Sequence, residues 1–142
     1  MSVVLDTNVL SELLRASPHR TVLQWMARHP ATSLYTSAIT QAEMLLGAHL
    51  LPHGARRRAL ASALSAMFEE DFRDRVLPFD GSCAARFAEV VATRRAAGRP
   101  IGHADAQIAA IALRHRAELA TRNVRDFEGI GLAIVDPWES AD

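Results

Sequence analysis

Three apolar residues, Val3-Val4-Leu5, run directly into Asp6-Thr7-Asn8 and then into the apolar-periodic stretch Val9-Leu10-Ser11-Glu12-Leu13-Leu14. Such a run, ending in an acid and passing straight into a helical pattern, reads as a buried parallel strand. It delivers a carboxylate to the carboxyl edge of a sheet, where open α/β folds bind their ligands. Taken alone, Asp6 or Asn8 is better explained as the cap of the following helix, because Asp and Asn lead the N-cap ranking. The rest of the chain overturns that explanation.

The beginning repeats as a theme. Val9 to about Ala16 and Thr21 to Arg28 form two short helices, separated near Pro18 and stopped by Pro30. Ser33-Leu34-Tyr35-Thr36 alternates as a strand, and Ser37 opens a helical pattern through Leu51. Ala55 to Phe72 is amphipathic, with Ala59, Leu60, Ala63, Leu64, Met67 and Phe68 on one face. Val76-Leu77-Pro78-Phe79 reads as a third strand, Ser82 to Ala97 as a helix with Phe87, Val90 and Val91 inward, and Ala104 to His115 as another helix. Glu118-Leu119-Ala120-Thr121 and Leu132-Ala133-Ile134-Val135 read as the last strands. Strands alternating with helices imply an α/β fold with a mainly parallel central sheet and helices on both faces. With 142 residues and 49% hydrophobic content, a single domain over residues 1–142 is expected.

Composition removes several chemistries. All 16 basic residues are arginines, so reactions that need an amine are excluded: no phosphate-loop lysine and no Schiff base. The formal net charge is zero, so any attraction for nucleic acid must come from a local patch or from bound cations. The single cysteine, Cys83, has no partner for a disulfide or a zinc site, and reads as a core or surface thiol in a reducing compartment. No apolar run approaches the roughly 20 residues that span a bilayer, and the N-terminus lacks an export signal. A soluble, cytoplasmic protein is expected, with no membrane partner.

Four acids stand where the elements meet. Asp6 follows the first strand. Glu43 shares a helix stripe with Ile39, Leu46 and Leu50, where a carboxylate is costly to bury unless paired or bound to a metal. Thr40-Gln41-Ala42-Glu43 also matches the Ser/Thr-x-x-Glu capping box, which would give Glu43 a local job, and the two readings are even. Asp105 opens a helix whose inward residues are Ile108, Ala109 and Ala112; the helix dipole alone could explain it, yet its small neighbours leave room for a ligand. Asp126 lies in the turn Thr121-Arg122-Asn123-Val124-Arg125-Asp126, where Asn and Asp are ordinary turn residues. A parallel sheet brings all four to one edge. Carboxylates gathered there repel one another, and the cluster is stable mainly around a divalent cation; oxygen-only donors favour Mg²⁺ or Mn²⁺ and phosphodiester chemistry.

Val4-Leu5-Asp6-Thr7-Asn8, then Ser37-Ala38-Ile39-Thr40-Gln41-Ala42-Glu43 with Gly47, then Ala104-Asp105-Ala106-Gln107-Ile108, then Thr121-Arg122-Asn123 to Phe127, and Asp136-Pro137-Trp138 resemble the PIN-domain ribonucleases. Within them, the resemblance is to toxins of VapC or FitB type from toxin–antitoxin pairs, and it runs from residue 2 to residue 138. It implies a PIN-like three-layer α/β/α fold and a metal-dependent endoribonuclease that hydrolyses RNA. It also implies a small antitoxin partner and a homodimer, the dimer being supported by the apolar face of the Ala55 to Phe72 segment. A Mg²⁺ or Mn²⁺ site is implied at Asp6, Glu43 and Asp105, with Thr7 and Asn8 in support and a fourth acid in the turn after Thr121. Many members carry Asp where this chain has Asn123, so Asp126 is taken as the fourth catalytic acid and metal ligand, with Thr121 as a further support and Asn123 as a neutral ligand or water-holder.

Two alternatives are weighed against this. A phosphatase with a nucleophilic aspartate also begins with a strand and an acid, but typically needs a second Asp at the position of Asn8, and a lysine. A PIN-fold module that lost catalysis and only binds a protein or nucleic acid would have lost two of the acids. Arg56-Arg57-Arg58 with Arg94, Arg95 and Arg99 are candidate phosphate-binding flanks, weighed equally against a solvated helix face. His103 is a candidate proton-transfer aid; Trp25, Trp138, Phe68, Phe72 and Phe87 are assigned to core or interface.

Overall fold

In the computed structural model, which describes residues 1–139, the first strand lies at the centre of the molecule. β1 (Val3–Leu5) is wholly buried and flanked in parallel by β2 (Leu34–Ser37) and β4 (Glu118–Ala120). β3 (Val76–Leu77) and β5 (Ile134–Val135) close the edges, so the order is β3-β2-β1-β4-β5 with every neighbour parallel. The chain moves outward from β1 through β2 to β3 and then returns to the other side of β1. Between β1 and β4, then, the winding reverses, and Asp6 leaves the sheet there, its amide donating to the Ala120 carbonyl at 3.0 Å.

The period-2 geometry of β1 splits the core. Val3 and Leu5 face one layer, formed by α1 (Thr7–Leu13), α2 (Arg20–Ala27), α3 (Ala38–His49) and α4 (Ala55–Ala66), and pack with Leu10, Trp25, Leu64 and Phe68. Val4 faces α5 (Ala84–Ala96) and α6 (His103–Arg114), packing with Leu119, Ile108, Ala109 and Val90. The expected three-layer α/β/α arrangement around a parallel sheet is what the structure has. On α6, Ala106 and the run from Ile108 to Ala112 are all buried, so its small side chains let it lie deep against both sheet and α5.

Several boundaries differ from the sequence reading. β3 ends at Leu77, because Pro78 has no N–H to continue a ladder. The pattern after Ala55 is helical only to Ala66 and continues as a π turn over Met67–Asp71. On α3 the buried stripe is Thr40, Met44 and Ala48, while Leu46 is 57% and Leu50 74% exposed, so Glu43 does not stand on an inward apolar face.

Arg94 is the largest correction. It is no phosphate flank: its side chain is 5% exposed, its Nε donates to the Arg99 carbonyl at 2.6 Å, and its Nη1 reaches the carbonyls of Asp126 at 2.9 Å and Glu128 at 3.0 Å. One guanidinium thus satisfies backbone acceptors of two segments, the turn after α5 and the short 3-10 turn Val124–Phe127 with the residue that follows it. Arg94→Leu is expected to lower stability by about 3 kcal/mol by orphaning those carbonyls, against less than ~0.5 kcal/mol for the exposed Arg95→Leu. Urea titration of the two variants checks this, and equal midpoints would refute the clamp.

Candidate functional site

At the carboxyl edge of the sheet a cavity of about 530 Å³ opens, and Asp6, Glu43 and Asp105 all line it. Asp6 arrives from the end of β1, Glu43 from the second turn of α3, and Asp105 from the first turn of α6. The three are far apart in the chain and meet because parallel strands point their carboxyl ends the same way.

Asp6 is buried and held from both sides. Its Oδ1 accepts the Thr7 amide at 2.8 Å, and its Oδ2 accepts the Thr121 hydroxyl at 2.8 Å. Thr121 Oγ1 in turn accepts the Asn123 amide at 3.0 Å and the Asn8 side-chain amide at 3.2 Å, while Asn8 Oδ1 accepts the Arg122 amide at 3.2 Å. The loop after β4 is thereby tied to the turn after β1. On the other flank the Thr7 hydroxyl has one proton; at 2.8 Å it donates to Glu43 Oε1, and it then accepts from Thr40 Oγ1 at 3.1 Å.

The capping-box explanation of Glu43 does not hold. Ser37 is the N-cap of α3 and takes the Thr40 amide at 3.0 Å, so Thr40 is the third helical residue and Glu43 the sixth, beyond reach of the free amides. Asp6 does cap α1 locally, as the simpler explanation held, and still faces the cavity.

The turn after β4 divides its two candidates. Asn123 lines the cavity; Asp126 is exposed and lines an adjoining cleft that shares Arg122 and Asn123 with it. The charge of Asp126 nevertheless reaches the acids: together with burial, it raises the carboxyls of both Asp6 and Asp105. Burial pushes Asp6 above its usual range first, hydrogen bonds from Thr121 and Thr7 pull it back, and Glu43 and Asp126 push it up again. Asp105 is pushed up to about 6, by burial and then by the charges of Asp6, Asp126 and Glu43, with Arg94 acting weakly the other way. Asp105 therefore keeps its proton to higher pH than an ordinary carboxyl, in the field of the other acids.

Several cavity residues escaped the sequence reading. Glu12 is 5% exposed and accepts the His19 amide at 2.8 Å, which holds its carboxyl below the usual range; Arg15 sits against it at 3.2 Å. Trp138, assigned to core or interface, lines the cavity and carries the Arg122 guanidinium 4.9 Å from its ring centroid. An acid and an arginine three apart on the first helix was the available signal for Glu12 and Arg15, but it reads as an ordinary surface pair. His103 packs edge-on against Phe87, ring centroids 5.2 Å apart, and does not line the cavity.

The donor set is all oxygen and carries surplus negative charge, which suits a hard divalent cation. Among the described residues, no three acidic, histidine or cysteine side chains form a group that could hold an ion as they stand. The fit is one of chemistry.

The family model of the PIN domain matches residues 3–131. The VapC ribonuclease Y4jK of Sinorhizobium fredii is 42% identical over 139 residues, covering 98% of this chain and 99% of the relative. Toxin FitB of Neisseria gonorrhoeae is 38% identical over 136 residues, covering 96% and 98%. The solved structure of FitAcB from Neisseria gonorrhoeae superimposes with a TM-score of 0.90 at 37% identity, covering 97% of this chain and 99% of that one.

The raised Asp105 carboxyl has a consequence for stability. Its folded value of about 6 exceeds the unfolded 3.8, so between these pH values the folded state binds the extra proton and stability falls as pH rises. The loss, on the order of 2 kcal/mol after solvent screening, is complete near pH 7. Chemical denaturation of metal-free protein from pH 4 to 7 is expected to show this decline, and Asp105→Asn to flatten it; an unchanged slope in the variant would count against Asp105 as its source.

Proposed function

The chain belongs to the PIN-domain family, and from that premise we propose that it is an endoribonuclease hydrolysing RNA phosphodiester bonds, the toxin of a toxin–antitoxin pair. The observation that carries the activity is the meeting of Asp6, Glu43 and Asp105 on one cavity with no cationic side chain paired to any of them among the described residues. A cluster that the protein itself leaves uncompensated suits a cationic cofactor, Mg²⁺ or Mn²⁺, held by these three acids. When bound, such an ion would polarise the scissile phosphate and lower the pKa of the attacking water.

The chain's own residues set the stage. Thr7 and Thr121, together with the Thr7 amide, fix the Asp6 and Glu43 oxygens, so their orientation is settled before substrate arrives. Asn8 holds the loop that carries Asn123 at the cavity wall. Asp126 serves as the fourth charge, acting on Asp6 and Asp105 through space from the adjoining cleft, and Asn123 as the neutral group on the wall.

The protein acts in the cytoplasm as one domain, forms a homodimer and is silenced by a small antitoxin. The support for a protein partner lies on α3 rather than on the α4 face expected from sequence, for Leu64, Met67 and Phe68 are consumed by the core. Leu45, Leu46 and Leu50 of α3 are exposed, and a separate groove between α1, α3 and α4 is lined by Leu14, Met44, Leu60 and Leu64.

Purified protein is expected to cut single-stranded RNA with Mn²⁺ and to stop with chelator, and Asp6→Asn, Glu43→Gln and Asp105→Asn each to remove most activity while keeping the fold. Equal cutting in EDTA would eliminate the mechanism. For the fourth position, Asp126→Asn is expected to weaken Mn²⁺ binding more than Asn123→Ala does; calorimetric titration reads the order, and a reversed order would move the role to Asn123.

A further inference from the structure

The proposed activity leaves a question of charge. RNA is a polyanion, the chain has no net charge, and the cavity is walled by carboxylates. The arginines singled out from sequence do not answer it. Arg94 is spent on carbonyls, Arg57 donates to His49 at 3.1 Å and His53 at 3.3 Å, and neither Arg56 nor Arg58 lines the cavity. Among the described residues, the two arginines that do line it are Arg15 and Arg122.

Both are built in a way that charge compensation of the acids does not require. The Arg15 side chain is 66% exposed; among the described residues its Nη1 alone is engaged, by the two Glu12 oxygens at 3.2 and 3.3 Å, and the rest of the fork is open. Glu12 is itself buried and anchored by the His19 amide. Arg122 has its backbone amide fixed by Asn8 and its guanidinium laid over the Trp138 ring. Among the described residues that guanidinium has no hydrogen-bond acceptor, and neither arginine forms an ion pair with Asp6, Glu43 or Asp105. Ordering a long arginine side chain costs rotamer freedom, and here contacts with Glu12 and Trp138 restrain the two before any ligand binds.

Their positions add direction. Arg15 also lines the groove between α1, α3 and α4, and Arg122 also lines the cleft beside the loop after β4. Each stands where the acid cavity opens into a neighbouring depression. We propose that Arg15 and Arg122 bind backbone phosphates of the RNA on the two sides of the scissile bond, Arg15 positioned by Glu12 and Arg122 by Trp138; this rests on the ribonuclease reading above. Guanidinium forks take phosphate oxygens bidentately, so the pair would hold the strand in register over the acids without reading its bases.

The test is steady-state cleavage of a mixed-sequence single-stranded RNA with Mn²⁺ at several salt concentrations. Arg15→Gln and Arg122→Gln are each expected to raise KM five- to tenfold with kcat within twofold, and to reduce the salt slope of KM by about 0.7. Mn²⁺ affinity and melting temperature should stay at wild-type values. Arg→Lys at either position should restore the salt slope while leaving KM partly raised, since charge returns without the fork. Glu12→Gln should raise KM alone and add nothing to Arg15→Gln, whereas a further full-sized loss in the double variant would refute its positioning role. Arg57→Gln is the neutral control. If the wild-type protein cuts RNA and both glutamine variants keep KM and salt slope, or lose only kcat or Mn²⁺ affinity, the clamp is overturned and the nuclease stands. If the wild-type protein does not cut RNA, both fall.

Discussion

The Asp6 carboxylate, buried at the end of the central strand, is held by a hydroxyl that comes from the end of the neighbouring strand. That bond from Thr121, at 2.8 Å, joins two points 115 residues apart. A buried carboxylate without such partners would be protonated or would disrupt the edge; with them it is a fixed acceptor around which the turn after β1 and the loop after β4 are organised. Asn8 extends the tie by gripping the loop amide of Arg122 and the hydroxyl of Thr121. The Thr7 to Glu43 bond extends it the other way, to α3.

The same edge is electrostatically unfavourable as it stands. Burial and mutual repulsion raise Asp6 and Asp105, and among the described residues no arginine forms an ion pair with either, although Arg15 and Arg122 stand on the same cavity. Stability is given up locally at a site whose all-oxygen donors suit a divalent cation. The surrounding fold bears this through a buried β1, an alanine-rich α6 packed tightly against it, and the Arg94 clamp across two loops.

Arginine usage illustrates how one residue type takes three roles in this chain. Arg94 is buried and works as a backbone cap, Arg57 rests on exposed histidines, and Arg15 and Arg122 keep donors open at the cavity. Nothing in the local sequence separates these. Arg94 and Arg95 are adjacent, and a single 100° step on α5 buries one and exposes the other.

The order of elements, the parallel sheet and the gathering of acids at its carboxyl edge were legible in the chain itself. They follow from local physics: the apolar periods of β1 and α6, the prolines that stop helices, and the handed crossovers that make successive strands parallel. What only the tertiary structure decided is set by contacts between distant segments. The cap of α3 fell on Ser37 rather than Thr40, which removed the local explanation of Glu43. The inward stripe of α3 fell on Thr40, Met44 and Ala48, because α1, α4 and the sheet cover that face and leave Leu46 and Leu50 to solvent. Trp138 and Glu12 joined the cavity only through the closing of β5 beside β4 and the docking of the α1–α2 turn on Glu12. Periodicity tells a residue which side of its own element it occupies; which neighbour fills that side is decided by the packing of the whole chain.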